Sequence, residues 1–570
     1  MARVVLFTVR FPKPHTHYAE VDALFPVRPH CEFFLPVWTP GSYLIREYSR
    51  NIEDVRINGN PAIKTRKNRW RSASEPNSEL RLTYRIYCRE MSVRTNWVEP
   101  SFALLNGAAT FITLAGQQEF SYEISLEPAC GWTASACGLN QIGEHRYFAD
   151  DFDALVDSPI YAGSATAQEF EVCGISHFLV NHGDDGPNRL WDASRAIEDV
   201  RHIFRKQEEF WGGLPYSEKY VLLNLLVESS GGIEHRNSMC LMASRWAMRS
   251  RRTYLKWLAL VSHEFFHSWN VTKLRPAEFV RFDYENENYT GSLWVAEGIT
   301  EYYAHLLLAR AGIYDWDEYL ASDGLSGAIE RLQTTPGRLS MALEQASFDS
   351  WIKLYRPDEN SHNSSVSYYV KGAVVAWLLD VRIRRSSGDR KSLDDLMRLC
   401  YSKYSGQRGF TSAEFQTLAS ELAEAPLDDF FSLSVQSPGE LDYSDALDWF
   451  GLRFRADAET GKPWIGAHTK IDSGRLIVTR IPRGTPAFDS GLSVDDEIIA
   501  IDGFRVRADQ FGRHLEHYRP GEPVVFLVAR REKLIELSVT PAAEPHNSWR
   551  LEMDPAATCE QQTRLYRWLK

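Results

Sequence analysis

The 570-residue sequence has few cysteines and no long hydrophobic run. Its eight cysteines are scattered without a Cys-x-x-Cys pair, which favours a reduced, cytoplasmic setting over a disulfide framework. No stretch approaches the roughly 18 apolar residues of a membrane span, so we expect no membrane partner. The apolar stretch at the N-terminus is too short for the core of a signal peptide, which also favours a cytoplasmic protein.

The sequence also has less positive than negative charge, and it lacks the motifs of serine and cysteine hydrolases. The net charge of −12 argues against nucleic acid or an anionic membrane as a main partner. The sequence has no Gly-x-Ser-x-Gly motif and no cysteine in a recognisable pattern with a histidine, so it does not support a serine or cysteine hydrolase. An apolar fraction of 44% and a charged fraction of 25% are ordinary for a soluble globular protein.

The chain is long enough for roughly three or four domains. Short alternating segments broken by Pro and Gly predict an antiparallel β-domain over 1–165. Helical patterns dominate 166–445, after a buried strand at 220–227, and short strands return over 446–545. We therefore predict a multidomain α+β protein with these three domains and an aromatic tail, 546–570, that packs on the body.

Helical periodicity in the middle of the chain is strong. It predicts helices over 196–211, 254–269, 293–311 and 371–385. Thr411-Ser-Ala-Glu414 is a capping-box sequence, which predicts the start of a further helix.

The most informative stretch is His263-Glu-Phe-Phe-His267, which lies inside an apolar run. On a helix, His263 and His267 project from one face about one turn apart, so both imidazoles can reach one Zn²⁺ at roughly 2.0–2.1 Å. Glu264 falls on the same side, where a carboxylate can act as a general base. Because a buried helix with two ordinary histidines gives the same pattern, this motif alone does not establish a metal site.

A catalytic zinc site needs a third protein ligand. Glu297 is the best candidate, because it begins the next strong helical pattern, which could pack on the first. Glu301 lies one turn further on. It is either a carboxylate that orients a liganding histidine or a surface charge, and it is a weaker candidate for the third ligand itself.

Two further groups of residues could line a site. Gly231 and Gly232 precede Glu234 at the end of the predicted strand, and paired glycines permit close approach of a ligand, although an ordinary turn has the same pattern. Tyr368 and Tyr369 begin a helix and offer hydroxyls that could stabilise an oxyanion. With 25 tyrosines in the chain, this pair alone is a weak signal.

Four motifs in this order resemble the gluzincin aminopeptidases, relatives of thermolysin: Gly-Gly-x-Glu-His, His-Glu-x-x-His, Trp-x-x-Glu-Gly and Tyr-x-Lys-Gly. More narrowly, the sequence resembles the glycyl aminopeptidase family, whose members carry a C-terminal PDZ domain. Matching segments also lie at 35–48, 263–276, 378–385 and 485–503. The resemblance extends over nearly the whole chain.

The resemblance implies His263, His267 and Glu297 as zinc ligands and Glu264 as the general base. It places these residues in a thermolysin-like catalytic domain with a helical extension. It therefore turns an ambiguous motif into an expected zinc centre.

The resemblance also implies the residues that bind substrate. Gly231 and Gly232 would line the cleft, and Glu234 would bind the free α-amino group of a peptide. Tyr369 would bind the oxyanion, with Tyr368 as the alternative.

The activity implied in this way is a zinc-dependent aminopeptidase that removes small N-terminal residues, Gly or Ala, from peptides. The C-terminal region resembles a PDZ domain of the permuted bacterial kind, with Phe450-Gly-Leu452 at its carboxylate-binding loop, where a peptide C-terminus could bind. A zinc endopeptidase and a PDZ-bearing peptide-binding protein with little activity are the alternatives.

Overall fold

The computed structural model describes residues 3–26, 31–73, 79–116, 120–184, 190–320, 324–455, 461–545 and 548–570. Residues 546 and 547, at the start of the predicted tail, lie outside the described residues. In the part of the chain that is described, no helix is both long enough and apolar enough to span a membrane.

The N-terminal part of the chain is built almost entirely of β-strands. The strands are β1 (Arg3–Arg10), β2 (Tyr18–Phe25), β3 (Glu32–Phe34), β4 (Ile52–Ile57), β5 (Asn60–Pro61), β6 (Ile63–Arg66), β7 (Arg69–Arg71), β8 (Leu80–Tyr87), β9 (Trp97–Glu99), β10 (Phe102–Leu105), β11 (Thr113–Leu114), β12 (Phe120–Glu127), β13 (Ala134–Ala136), β14 (Asn140–Gly143), β15 (Arg146–Ala149) and β16 (Ile160–Gly163). Two short helices, α1 (Gly107–Thr110) and α2 (Phe152–Val156), interrupt them.

These strands form an eight-stranded sheet in the order β14-β15-β12-β1-β2-β8-β4-β5 and two four-stranded sheets. Neighbouring strands are antiparallel, except that β1 and β12 are parallel. Alternate residues of β8 are buried, as expected for a strand with one face on a hydrophobic core. The predicted N-terminal β-domain is confirmed.

The middle of the chain has a mixed five-stranded sheet followed by helices. The strands are β17 (Ala167–Val172), β18 (Ile175–His182), β19 (Lys219–Leu226), β20 (Gly231–His235) and β21 (Ser238–Ala243), in the order β17-β18-β19-β21-β20. The helices are α3 (Ala193–Trp211), α4 (Arg251–Phe266), α5 (Ile299–Arg310), α6 (Trp316–Leu320), α7 (Leu325–Gln333), α8 (Leu343–Phe348), α9 (Ser361–Ser364), α10 (Tyr368–Ser386), α11 (Leu393–Tyr404), α12 (Ser412–Ala423), α13 (Asp428–Phe431) and α14 (Ser444–Phe450).

The sequence patterns located these elements well. The predicted strand at 220–227 is the central strand β19, which is buried over nearly its whole length because it has a parallel neighbour on each side. The predicted helix over 371–385 is α10, and the Thr411 capping box begins α12. The helix predicted over 293–311 is α5, but it is preceded by a π-helical turn, Trp294–Gly298.

The C-terminal part of the chain returns to strands: β22 (Leu452–Phe454), β23 (Pro463–Trp464), β24 (His468–Asp472), β25 (Arg475–Arg480), β26 (Glu497–Ile501), β27 (Phe504–Arg505), β28 (Val524–Arg530), β29 (Lys533–Val539), β30 (Ala542–Ala543) and β31 (Leu551–Met553). Its helices are α15 (Pro486–Asp489), α16 (Phe511–Leu515) and α17 (Cys559–Leu569). A six-stranded sheet, β24-β25-β26-β28-β29 with β27 beside β26, has a hydrophobic core of its own.

The prediction that Phe450-Gly-Leu452 forms the carboxylate-binding loop of this C-terminal domain was wrong. Phe450 ends α14 in the main core, where its ring stacks on Trp568 of α17 at a centroid distance of 4.5 Å. Leu452 begins β22, which pairs with β31 outside the six-stranded sheet. Burial of two large aromatic rings against each other therefore fixes this segment to the helical body. The boundaries of the four predicted domains stay predictions.

Two glycines bring the π-helical turn against α10. A Cβ added to Gly298 would lie 2.6 Å from the Cα of Gly372, and one added to Gly372 would lie 2.9 Å from the Cα of Gly298. The two backbones are therefore in direct contact, which only glycine permits. This contact places Glu297, the neighbour of Gly298, beside the first turn of α10, which carries Tyr369.

We predict that Gly298→Ala destabilises the protein by about 1–3 kcal/mol, because the added methyl group must separate two packed backbones. Thermal unfolding of the variant and the unsubstituted protein measures the effect. Gly512→Ala in α16 is the matched control, because a Cβ there meets nothing within 4 Å. Equal unfolding midpoints for both variants would contradict the proposed contact.

Candidate active site

Three side chains from two helical elements converge on one point. His263 lies in the last turn of α4, His267 caps that helix, and Glu297 lies in the π-helical turn. The Nε2 atoms of His263 and His267 are 3.0 Å apart. Oε2 of Glu297 lies 3.1 Å from Nε2 of His267 and 3.5 Å from Nε2 of His263. The carboxylate therefore faces both imidazoles at once.

This geometry fits a tetrahedrally coordinated cation. Ligand atoms at about 2.0–2.1 Å from Zn²⁺ in tetrahedral positions are roughly 3.3 Å apart, and the three observed separations lie on both sides of that value. Two imidazole nitrogens facing each other at 3.0 Å need a proton or a cation between them. The residues present therefore fit a divalent metal ion.

The opposite ring nitrogens are held by acceptors. Nδ1 of His267 lies 3.0 Å from the carbonyl oxygen of Asn270, which can only accept, so this nitrogen carries the hydrogen. Nδ1 of His263 lies 3.0 Å from Oε2 of Glu301, which also contacts His305. Both contacts orient the imidazole rings so that the Nε2 lone pairs face the point where His263, His267 and Glu297 meet. Glu301 is therefore an orienting carboxylate in this structure and not a surface charge.

Negative charge is concentrated around the two histidines. Burial raises the pKa of Glu264, and it raises the pKa of Glu234 to about 7. Burial would also raise the pKa of Glu297, but the charge of His267 and hydrogen bonds from both histidines hold it at about 2. Burial lowers the pKa of each imidazole, and the carboxylates more than reverse this effect. The cluster therefore favours added positive charge, which a bound cation would supply in place of protons.

Asn270 joins the two halves of the cluster, and sequence reasoning missed it. Its buried amide group donates hydrogen bonds to the carbonyl oxygens of Val295 and Ala296, at 3.0 and 3.1 Å, and to Oγ1 of Thr300 at 3.0 Å. Its own carbonyl oxygen accepts from His267. One residue thus ties the end of α4 to the turn that carries Glu297.

The end of α4 explains how Asn270 reaches this position. The helix predicted to continue to Trp269 ends at Phe266. Val271 has a φ of +91°, a region that β-branched residues rarely adopt, and its N–H donates to the carbonyl of Leu274 at 2.7 Å. The chain therefore turns sharply after the second histidine instead of extending the helix.

The N-terminal β-domain also contributes to the site. The hydroxyl of Tyr43 donates to Oε1 of Glu297 at 3.4 Å. Gly41 has a φ of +79°, and a Cβ there would lie 2.6 Å from Oε2 of Glu234. Both residues lie in the 35–48 segment, whose match to the family was the only signal in the sequence for their place in the site.

Arg94 and Gly232 surround the candidate base. A Cβ on Gly232 would lie 2.2 Å from Oε1 of Glu264, so this glycine makes room for the carboxylate. Nη2 of Arg94 donates to the carbonyl oxygen of Gly232 at 3.3 Å, and its charge lowers the pKa of Glu264. Gly231, in the same edge strand β20, has a φ of +143° and lies next to Arg94. No sequence motif indicated Arg94.

The two tyrosines at the start of α10 differ in position. The ring of Tyr369 lies 6.1 Å from the ring of His263 between centroids, and Tyr369 lines the cavity above the cluster. Tyr368 is fully buried, and its hydroxyl lies 2.9 Å from Oγ of Ser350. The structure therefore places Tyr369, and not Tyr368, toward the candidate metal centre.

A cavity of about 720 Å³ opens over the cluster. Gly41, Glu234, Tyr369 and one face of α4 are among the elements that line it. Glu234, Glu264 and His267 have ligand-type atoms that all lie within 4.8 Å of one another. The candidate amine anchor, base and metal ligand therefore share one end of the cavity.

Residues 6–164 match the M61 peptidase N-terminal domain, and residues 256–375 match the M61 glycyl aminopeptidase domain. A search of curated proteins found no match. A solved structure of an aminopeptidase N family protein from Idiomarina loihiensis is 29% identical with a TM-score of 0.91, covering 99% of this chain and 100% of that one. An M1 zinc metallopeptidase variant from Deinococcus radiodurans, bound to a Tyr-Ser-Ala substrate, is 13% identical with a TM-score of 0.47, covering 77% of this chain and 95% of that one. The two family matches show that the chain contains domains of the M61 glycyl aminopeptidase family, which supports a peptidase.

We predict that Asn270→Ala lowers the free energy of unfolding by about 1–3 kcal/mol, because buried carbonyl groups lose their donor. Denaturant titration measures the change. Asn140→Ala, at an exposed position in β14, is the control. An effect no larger than that of the control would show that Asn270 does not join α4 to the π-helical turn energetically.

Proposed function

We propose that this peptidase is a zinc-dependent aminopeptidase that removes the N-terminal residue of peptides, with Gly or Ala preferred as the family resemblance implies. The observation that carries the proposal is the pairing of the His263, His267 and Glu297 cluster with a buried carboxylate, Glu234, that lines the same cavity. A metal ion held by the cluster would supply the chemistry of hydrolysis, and the adjacent carboxylate would limit cleavage to free N-termini.

His263, His267 and Glu297 would hold the metal, with Glu301 and the Asn270 carbonyl orienting the two imidazoles. Zn²⁺ bound there would polarise the scissile carbonyl and make a water molecule more acidic at neutral pH. Two nitrogens and one carboxylate oxygen are a common ligand set for catalytic zinc and leave a position open for substrate.

Glu264 acts as the general base. Burial raises its pKa, which makes the carboxylate a stronger proton acceptor, while the charges of His263, His267 and, to a smaller extent, Arg94 limit the rise. Its carboxylate takes a proton from the attacking water and then delivers it to the leaving amine. Gly232 gives it the space to do so.

Tyr369 stabilises the developing negative charge on the substrate oxygen. Burial and the charge of Glu297 raise its pKa well above the usual value for tyrosine, so the phenol stays protonated and can donate a hydrogen bond. Its place in the cavity wall beside His263 supports this role.

Glu234 anchors the ammonium group of the substrate. It is only 8% exposed, and Gly41 packs against its carboxylate, so the cavity has little room for further residues behind it. A buried carboxylate gains much from a cationic partner and little from a blocked, neutral amine. This position fixes cleavage at one residue from the N-terminus and favours an aminopeptidase over an endopeptidase.

The six-stranded C-terminal sheet is a second candidate binding site. We propose that it is a PDZ-like domain that binds a peptide C-terminus or guides substrate. Its separate hydrophobic core supports an independent unit. Among the described residues the eight cysteines form no disulfide, which supports our proposal of a cytoplasmic protein.

The deciding experiment measures zinc content together with hydrolysis of Gly- and Ala-p-nitroanilide and of their N-acetylated forms. We expect about one zinc per chain and chelator-sensitive cleavage of the free amines only. Zinc with cleavage of blocked substrates would favour the endopeptidase. No zinc and no cleavage would favour a peptide-binding protein.

We predict that Glu264→Gln retains zinc and loses activity by a factor of about 10²–10⁴, because the amide cannot accept the proton. Zinc content and kcat for Gly-p-nitroanilide are measured together. Glu359→Gln, at an exposed position, is the control for loss of one carboxylate. Near-normal turnover with full zinc would exclude Glu264 as the base.

We predict that Glu234→Gln raises KM for Gly-p-nitroanilide by roughly 10–100-fold, because the substrate ammonium loses its ionic partner. Zinc content stays at the unsubstituted level, since Glu234 is not a ligand in this proposal. The same variant should discriminate less between free and N-acetylated substrates. An unchanged KM would assign the amine anchor to another group.

A further inference from the structure

Arg94 lines the cavity with hydrogen-bond donors that the proposed reaction does not use. It is half-buried and lies in the loop between β8 and β9 of the N-terminal β-domain. Its Nη2 donates to the carbonyl oxygen of Gly232 at 3.3 Å, which is long for such a bond. Its Nε is buried without a hydrogen-bond partner, and among the residues that the structure describes Arg94 forms no ion pair. Most of its five N–H donors can therefore bind a ligand.

The backbone around Arg94 is fixed in place. The hydroxyl of Tyr48 donates to the carbonyl oxygen of Arg94 at 2.8 Å, and the N–H of Arg94 donates to Oγ of Ser92 at 3.1 Å. The neighbouring Val93 is buried in a hydrophobic cluster that also contains Ile233 of β20. Because the backbone is held in this way, the guanidinium group loses less conformational freedom when it binds a ligand.

The direction of the substrate follows from the proposed function, on which this inference rests. Glu234 binds the ammonium group, and Gly232, two residues earlier in β20, lies against the proposed base Glu264. The cleaved bond therefore lies near Gly232, and the chain after it continues toward Gly231. Arg94 lies beside both glycines, since its Nη1 is 3.6 Å from the position of a Cβ on Gly231.

The length of a dipeptide matches this arrangement. A strand advances about 3.3 Å per residue, so Gly231 lies about 10 Å from Glu234 along β20. An extended dipeptide spans about 7 Å, and the hydrogen bond between its ammonium group and Glu234 adds about 3 Å. The carboxylate of a dipeptide bound at Glu234 therefore lies level with Gly231, beside Arg94.

We propose that Arg94 binds the carboxylate of the residue after the cleaved bond, so that the peptidase prefers dipeptides with a free C-terminus. A guanidinium group can bind a carboxylate through two parallel hydrogen bonds, which give both affinity and orientation. In a longer peptide the same position holds a peptide carbonyl, a neutral acceptor that gains less from the cation. Glu234 and Arg94 thus bind the two charged ends of a dipeptide, with the cleaved bond between them.

The test compares Gly-Ala with Gly-Ala amide, which differ in the charge of the C-terminus. We expect the unsubstituted enzyme to favour the free acid by roughly 10–100-fold in kcat/KM, mainly through KM. Arg94→Gln should abolish this preference. Arg66→Gln removes an exposed arginine of β6 in the same β-domain and should keep the full preference.

The ratio between the two substrates separates carboxylate binding from other effects of the substitution. Burial raises the pKa of Glu264, and the charge of Arg94 is among those that lower it, so Arg94→Gln changes the rate on both substrates. This shared effect cancels in the ratio, and so does a partial loss of folded enzyme. Arg94→Lys keeps the charge without the two parallel donors and should retain part of the preference.

A tripeptide tests the position of the carboxylate. Gly-Ala-Ala carries this group about 3.3 Å further along the chain, so we expect a much smaller preference for its free acid over its amide. Equal rates on Gly-Ala and its amide, a preference that survives Arg94→Gln, or an equally large preference in the tripeptide would overturn the inference. A lack of cleavage of Gly-p-nitroanilide and of both forms of Gly-Ala would instead overturn the proposed aminopeptidase function.

Discussion

Concentrated negative charge in a buried place is the constraint on which the site depends. Glu234, Glu264 and Glu297 lie within a few ångströms of two histidines, in surroundings where burial opposes ionisation. Such a cluster is stable only when positive charge balances it. The converging nitrogen and oxygen atoms mark where a cation would be held, and Glu234 marks where a substrate ammonium group would bind. One electrostatic imbalance would thus account for both the proposed metal site and the proposed amine specificity.

The backbone holds this cluster together through close contacts rather than long side chains. Gly298 and Gly372 let the π-helical turn touch α10, and Asn270 ties the same turn to the end of α4. Gly41 and Gly232 let other segments approach two of the carboxylates. π-Helical turns are uncommon and are frequent at functional sites, and here the turn carries Glu297 to the histidines.

The N-terminal β-domain and the outer cavity extend the site in two directions. Gly41, Tyr43 and Arg94 contact Glu234, Glu297 and Gly232, so the β-domain is part of the candidate site. On the other side, one face of α4 lines the cavity from Arg252 to His263.

Local sequence patterns determined much of this protein. Residue alternation predicted the N-terminal strands, apolar periodicity predicted α3 and α10, and the capping box predicted the start of α12. These predictions succeeded because each pattern depends on residues that are close together in the chain. The four-residue spacing of His263 and His267 is also a local feature, so the sequence alone places both on one face of a helix. The helical pattern made Glu297 the best candidate for the third ligand, and the family resemblance supplied the roles of Glu234 and Tyr369.

Which distant residues lie in contact became clear only from the folded structure. Arg94 lies in no motif, and the matched segments that contain Asn270 and Tyr43 gave neither residue a role. Their partners lie far away in the sequence or across a turn with strained backbone. The structure also shows that Tyr369, and not Tyr368, faces the candidate metal centre. It places Phe450 in the main core instead of at the expected carboxylate-binding loop. Contacts of this kind depend on how helices and sheets pack against one another. No periodic pattern of neighbouring residues in the sequence predicts that packing.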